Sequence, residues 1–229
     1  MLFRSNCIIA PTNDDVVEVF QKSSEMSKVL LHALEEKLIV PYFQPIVSSD
    51  GTQVVCNEVL CRVIVGDQVI PASEFIEIAE KLSVVSRLDT ILMEKVFALA
   101  EAEQYDGYLF VNLSPKSLIV KEFVPSVINL DNRYRIAHDK VVFEITERET
   151  VKNMTLLEQF VQNLKLEGFK FAIDDFGSGF SSFQYIRRLP IDFVKIEGLF
   201  VRNMLNDPKD MAFVKTLAVL AKEFGIQTI

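Results

Sequence analysis

Cysteine is scarce in this chain of 229 residues: Cys7, Cys56 and Cys61 are the three it contains. Their number is odd, and Cys56 and Cys61 fall within one predicted strand. Neither a disulfide framework nor a zinc spacing results, and this cysteine usage fits a reducing cytoplasm. Histidine is scarcer still, with His32 and His138 alone, which argues against zinc chemistry. Basic runs are missing too: the net charge is −8, and no Lys/Arg run exceeds Arg187-Arg188. DNA is therefore a poor partner, whereas a small anionic ligand is compatible with the chain if metal ions offset its acidic groups. No apolar run approaches the ~20 residues of a membrane span, and Cys7-Ile8-Ile9-Ala10 is too short for a signal peptide. Internal repeats and low-complexity segments are absent.

What the chain does have is apolar material, 49% of its residues, enough to bury a sizeable core. Ile39 to Val47 reads as a strand, closed by the turn Ser48-Ser49-Asp50-Gly51 and followed by a second strand over Gln53 to Val65. Strand, turn, strand implies one antiparallel pair. From there strands alternate with helices. Apolar residues at helical spacing run from Val84 to Glu103. Tyr108 to Leu113 is a strand, and a helical or irregular stretch follows Pro115. Lys140 to Thr146 is a strand, Leu156 to Leu164 a helix stopped by Gly168, and Phe169 to Ile173 a strand. A short helix is expected over Ser181 to Arg188, a strand over Ile191 to Ile196, a helix over Phe213 to Phe224, and a strand start at Ile226 to Ile229.

The parallel strands are continuous apolar runs, as strands buried on both faces must be. The architecture expected is α/β: a TIM-like (β/α)8 barrel with one antiparallel strand, incomplete at the C-terminus, since a full barrel takes ~250 residues. The chain is accordingly expected to be a piece of a longer protein. Residues 1–33 read as a tail and a helix with a loose pattern over Asp14 to Leu34. That helix either packs on the barrel bottom or ends a signalling helix from an upstream sensor. Residues 34–229 form the barrel domain.

In a parallel barrel the chemistry sits at the C-terminal strand ends. Polar residues interrupt apolar strands there. Glu58 lies inside the second strand and Asn112 ends the third. Glu144 and Glu147 end the fourth, Asp174 and Asp175 the fifth, and Lys195 and Glu197 the sixth. An ionised carboxylate such as Glu144, set among Val141, Val142, Phe143 and Ile145, is costly unless paired or metal-bound. Converging carboxylates call for a cation, and oxygen ligands favour Mg2+ or Mn2+. Blander readings exist for each. Glu58 could pair with Arg62, Asn112 could cap a turn, Glu144 and Lys195 could form a structural ion pair, and Asp174-Asp175 could mark a turn. Gly177 and Gly179 suggest a hinged loop above the site.

These residues resemble the EAL domain. The matching segments are Phe43-Gln44-Pro45-Ile46, Glu58-Val59-Leu60-Cys61-Arg62, Asn112-Leu113-Ser114, Glu144-Ile145-Thr146-Glu147, Asp174-Asp175-Phe176-Gly177-Ser178-Gly179-Phe180-Ser181-Ser182 and Leu189 to Ile196. The resemblance implies a phosphodiesterase that hydrolyses cyclic di-GMP to linear pGpG with two Mg2+ or Mn2+ ions. It implies Glu58, Asn112, Glu144 and Asp174 as ligands of the first ion, with Asp174 bridging to a second that Asp175 also binds. Lys195 would orient or activate the attacking water. Gln44, Leu60 and Arg62 would contact substrate, and Glu147 would anchor the Asp175–Ser182 loop. It also implies the cytoplasm, pairing into a homodimer, and an upstream sensor or GGDEF domain.

The chain departs from the family pattern at Val59, where the name-giving Ala stands, and at Glu197, where the family has Asp. A further family glutamate and a glutamine would fall after Ile229, so the piece alone is expected to lack a second-ion ligand. The alternative function is a catalytically inactive receptor for cyclic di-GMP or a protein partner. An unrelated Mg2+-dependent barrel enzyme would explain the carboxylates but not the loop segments.

Overall fold

A computed structural model describes residues 13–118, 120–147, 154–178 and 187–229. The first helix, α1 (Asn13–Glu35), buries Leu30, Ala33 and Leu34 at its C-terminal end against α2 (Ala72–Lys81) and β2 (Val54–Val65). Residues 1–12 lie outside the described ones. β1 (Ile39–Val47) and β2 form the antiparallel pair expected, in the register Ile39↔Val63 to Ile46↔Cys56. Their turn is fixed by Asp50, whose Oδ1 accepts from the Thr52 amide at 3.1 Å and hydroxyl at 2.9 Å. Gly51 supplies the positive φ of 72° that the turn requires.

The sheet order is β1, β2, β4 (Tyr108–Asn112), β5 (Val141–Thr146), β6 (Lys170–Phe176), β7 (Phe193–Ile196) and β8 (Gln227–Thr228), with β3 (Gln68–Pro71) beside β2. All pairings from β2–β4 onward along that order are parallel. The mostly parallel barrel sheet expected from the sequence is thus observed, with no hydrogen-bonded closure between β1 and β8. One short strand was not foreseen. β3 returns antiparallel along Arg62–Val65, while Cys56–Val59 of the same β2 pair with β4. Leu60 and Arg62 therefore lie beyond the β2–β4 pairing, on the part of β2 flanked by β1 and β3.

The crossovers are α2, α3 (Val85–Ala102), α4 (Pro115–Leu118), α5 (Phe123–Tyr134), α6 (Met154–Leu166), α7 (Gly198–Asn203) and α8 (Pro208–Glu223). α8 begins at Asp207, whose side chain accepts from the Lys209 amide at 2.8 Å, with Pro208 in the first turn. The expected helix over Ser181 to Arg188 lies mostly outside the described residues. No described helix is long and apolar enough to cross a membrane.

Two cores result from strand alternation. Outward residues, among them Val59, Val111, Phe143, Phe171, Ile173 and Val194, pack against Phe75, Leu88, Leu92, Phe160 and Leu164 of the helices. Inward residues form a smaller cluster of Cys56, Phe110, Val142, Ala172 and Phe193. The Phe110 and Phe193 rings meet edge to face at 5.1 Å. This inner layer plugs the barrel, so whatever lies above it toward the C-terminal ends has an apolar floor.

Candidate metal centre

Two residues beyond each member of that inner layer stands a polar one. Cys56 precedes Glu58, Phe110 Asn112, Val142 Glu144, Ala172 Asp174, and Phe193 Lys195. Because strand side chains repeat every second residue, all five point into the barrel one layer higher. The structure brings them together. Lys195 Nζ is 2.9 Å from Glu58 Oε2, 3.1 Å from Glu144 Oε1 and 3.4 Å from Asp174 Oδ1. Asn112 Nδ2 donates to Glu58 Oε1 at 3.2 Å, which leaves its carbonyl oxygen for another partner. One oxygen each from Glu58, Glu144 and Asp174 lies within 4.8 Å of the others, the only such group of three among the described residues.

The electrostatics are unbalanced. Three carboxylates face one ammonium. Burial pushes the Glu144 carboxyl up to about 8; Lys195 opposes that rise, while Glu58 and Asp174 add to it. Burial pulls the Lys195 ammonium down, but Glu144, Asp174 and Glu58 together outweigh it and hold the ammonium above its ordinary value. Both Glu144 oxygens are buried, and Lys195 Nζ at 3.1 Å is the one polar group that an ion pair brings to them. A buried carboxyl group beside two more, within reach of one point, fits a divalent cation with oxygen ligands. The expected pairing of Glu144 with Lys195 is present, but as one contact of a larger cluster. Arg62 does not take Glu58: its Nη1 donates to the Cys61 carbonyl at 2.9 Å and its guanidinium lies over the Tyr42 ring.

The other expected residues surround this cluster. Gln44 is exposed and sits directly opposite Glu58 in the β1–β2 register. Leu60 and Asn112 line a cavity of about 380 Å³ between the barrel mouth and helices α2 and α3. Asp175 is exposed, outside the three-carboxylate cluster, with a φ of 53°. A bulge explains its position: Ile173 pairs with Val194 and Phe176 with Ile196, three residues of β6 against two of β7. Asp174 and Asp175 are both held in this irregular stretch of strand rather than in a turn. Glu147 is buried and its Oε2 accepts from the Gly177 amide at 2.9 Å. Gly177 has a φ of 102°, and a Cβ there would meet the Phe213 ring at 2.9 Å, so only glycine fits. The loop residues from Gly179 to Ile186 lie outside the described ones. Glu197 caps α7, accepting from the Leu199 amide at 3.4 Å.

Sequence reasoning missed Asp89 and Glu80. Asp89, buried on α3, accepts from the Ser117 hydroxyl at 2.6 Å. Glu80 accepts from the Ser114 hydroxyl at 2.7 Å. The signal for Asp89 was present: it follows Leu88 and precedes Ile91 and Leu92, on the apolar side of its helix.

A mostly parallel barrel with carboxylates and an amide converging at its mouth offers a group that could hold a metal ion there. Comparison with known proteins narrows this: the EAL domain family matches residues 27–229, and the chain belongs to it. It is 33% identical over 208 residues to the cyclic di-GMP phosphodiesterase PdeB of Shewanella oneidensis, covering 87% of this chain and 24% of that protein. It is 31% identical over 216 residues to the probable cyclic di-GMP phosphodiesterase PdeG of Escherichia coli, covering 92% of this chain and 42% of that one. The chain thus spans less than half the length of these relatives. Among solved structures it superposes on the FimX EAL domain of Pseudomonas aeruginosa bound to c-di-GMP with a TM-score of 0.82 and 26% identity, covering 89% of this chain and 84% of that one. The PaMucR phosphodiesterase in its c-di-GMP complex gives a TM-score of 0.82 at 24% identity, covering 89% and 85%.

Proposed function

We propose that this domain hydrolyses cyclic di-GMP to linear pGpG with Mg2+ or Mn2+ at the barrel mouth. The observation that carries the reading is the buried Glu144 side chain grouped with Glu58 and Asp174 around one point. A pure receptor has no need of such a group, and the receptor alternative is not favoured. Glu58, Asn112, Glu144 and Asp174 would hold one ion, and Asp174 with Asp175 a second. When bound, such ions neutralise phosphoryl charge and acidify a water near pH 7.

The chain's own residues do the rest. Lys195, held among three carboxylates, keeps its ammonium protonated and orients a water or phosphoryl oxygen by donation. Gln44, Leu60 and Arg62 stand on successive registers around the mouth, where they contact the substrate. Glu147 holds the start of the loop after Asp175 through the Gly177 amide, and Glu197 fixes α7 beside it. We place the protein in the cytoplasm, with residues 1–33 leading from an upstream sensor or GGDEF domain, and with a homodimer as its assembly.

The test is turnover of cyclic di-GMP followed by chromatography of pGpG, with Mg2+ or Mn2+ supplied. Product that disappears in Glu144→Gln and in Asp174→Asn, and on chelation, is the expected result. Nucleotide binding without turnover in the presence of either metal would overturn the catalytic reading in favour of a receptor.

A further inference from the structure

We infer that Asp89 is a positioning residue for this metal centre: from helix α3 it clamps the turn Ser114–Ser117 and so fixes the carbonyl of Asn112. The inference rests on the metal reading proposed above.

Asp89 is a carboxylate exposed to only 5%, and among the described residues it forms no ion pair. A buried acid without a counter-charge is costly, so its retention is explained by what it accepts. The Ser117 hydroxyl donates to its Oδ2 at 2.6 Å. The Ser117 amide in turn donates to the Ser114 carbonyl at 2.9 Å. Asp89 thereby ties the far end of a single turn to α3, while Glu80 of α2 takes the Ser114 hydroxyl at its start, and that turn begins two residues after Asn112. On the strand side, the Leu113 amide donates to the Glu144 carbonyl at 2.9 Å. Asn112 is therefore held between the β5 ladder and the Asp89 clamp.

Ser117 is fully buried and Leu113 packs in the core, but the cavity of about 380 Å³ is lined by Asp89, Asn112 and Ser114 alike, so the Asn112 end of the turn has room to shift once the clamp is cut. Asn112 is itself exposed at the mouth, and its Nδ2 reaches Glu58 across 3.2 Å. A shift of the turn would move the Asn112 carbonyl and loosen Glu58 together. Partners behind a metal ligand commonly govern affinity by about 10- to 100-fold.

The test is calorimetric titration of the chain with Mg2+ or Mn2+ alone, without nucleotide. Asp89→Ala is expected to weaken the dissociation constant per folded molecule by about tenfold. Asp89→Asn, which keeps an oxygen for the Ser117 hydroxyl, is expected to bind like the parent. Ser117→Ala, which removes the same hydrogen bond from the other side, is expected to weaken binding likewise and carries the test where Asp89→Ala does not fold. A merely structural role would lower the melting temperature and the fraction of binding-competent molecules while leaving the dissociation constant unchanged; that result would overturn the clamp alone. No binding of either ion by the parent chain would overturn the metal reading together with the clamp.

Discussion

Lys195→Met removes one charge and keeps most of the side chain's bulk. In the structure the Lys195 side chain is 15% exposed and touches three carboxylates at 2.9, 3.1 and 3.4 Å. Two like charges 4.8 Å apart repel by about 3.5 kcal/mol at an effective dielectric of about 20. Removing one partner of a buried ion pair costs about 3–5 kcal/mol. Glu144 limits the damage by taking up a proton, since burial already pushes it up to about 8. The variant without metal is therefore expected to lose about 3 kcal/mol at pH 8, and less at pH 6, where Glu144 is neutral in both proteins. Saturating Mg2+ should restore most of the loss, because the ion supplies the missing positive charge. Urea unfolding with and without chelator at both pH values measures this. A loss that is the same at pH 6 and 8, and indifferent to Mg2+, would refute the view that Lys195 acts as counter-ion to the cluster.

Asp89 gives a pH signature of its own. Burial raises its folded-state value to about 7, against which the hydrogen bond from Ser117 acts. A carboxyl raised on folding binds its proton more tightly in the native state, so its contribution falls as pH rises from the ordinary carboxylate range through about 7. Asp89→Asn should remove that slope, and its advantage over the parent should grow by about 2–3 kcal/mol between pH 5 and pH 8 in urea unfolding; a constant gap would count against it. Glu147→Ala leaves the Gly177 amide without its 2.9 Å acceptor, at about 1–3 kcal/mol, and hydrogen exchange at Gly177 should accelerate while that at Phe171 does not. Phe110→Ala empties the floor of the site, where Phe110 is fully buried. It should cost about 3–5 kcal/mol by chemical unfolding.

The five polar residues of the centre were legible because each breaks an apolar strand at one end. Period two then does the rest, placing Glu58, Asn112, Glu144, Asp174 and Lys195 above a common floor. What was not legible depends on contacts between distant segments. The bulge at Ile173–Phe176 lengthens β6 and gives Asp175 its positive φ, a consequence of pairing with β7 that no local pattern announces. β3 is four residues long and starts within the reach of a turn, too short for alternation to speak. Helix α2 carries Phe75 and Ala79 on its buried face, a pattern present in the sequence but overshadowed by the longer one of α3. Asp89 stands among the apolar residues of α3. Only its meeting with Ser117, more than 20 residues away in the chain, gives it a role.

The central claim is that Glu58, Asn112, Glu144 and Asp174 share one ion. A crystal structure of the chain soaked with Mn2+, read by anomalous scattering at the manganese edge, measures this directly. The account expects a peak about 2.0–2.3 Å from an oxygen of each of the four residues, with Lys195 Nζ drawn off the Glu144 carboxylate. A peak elsewhere, or none while Lys195 stays among its three carboxylates, would contradict it.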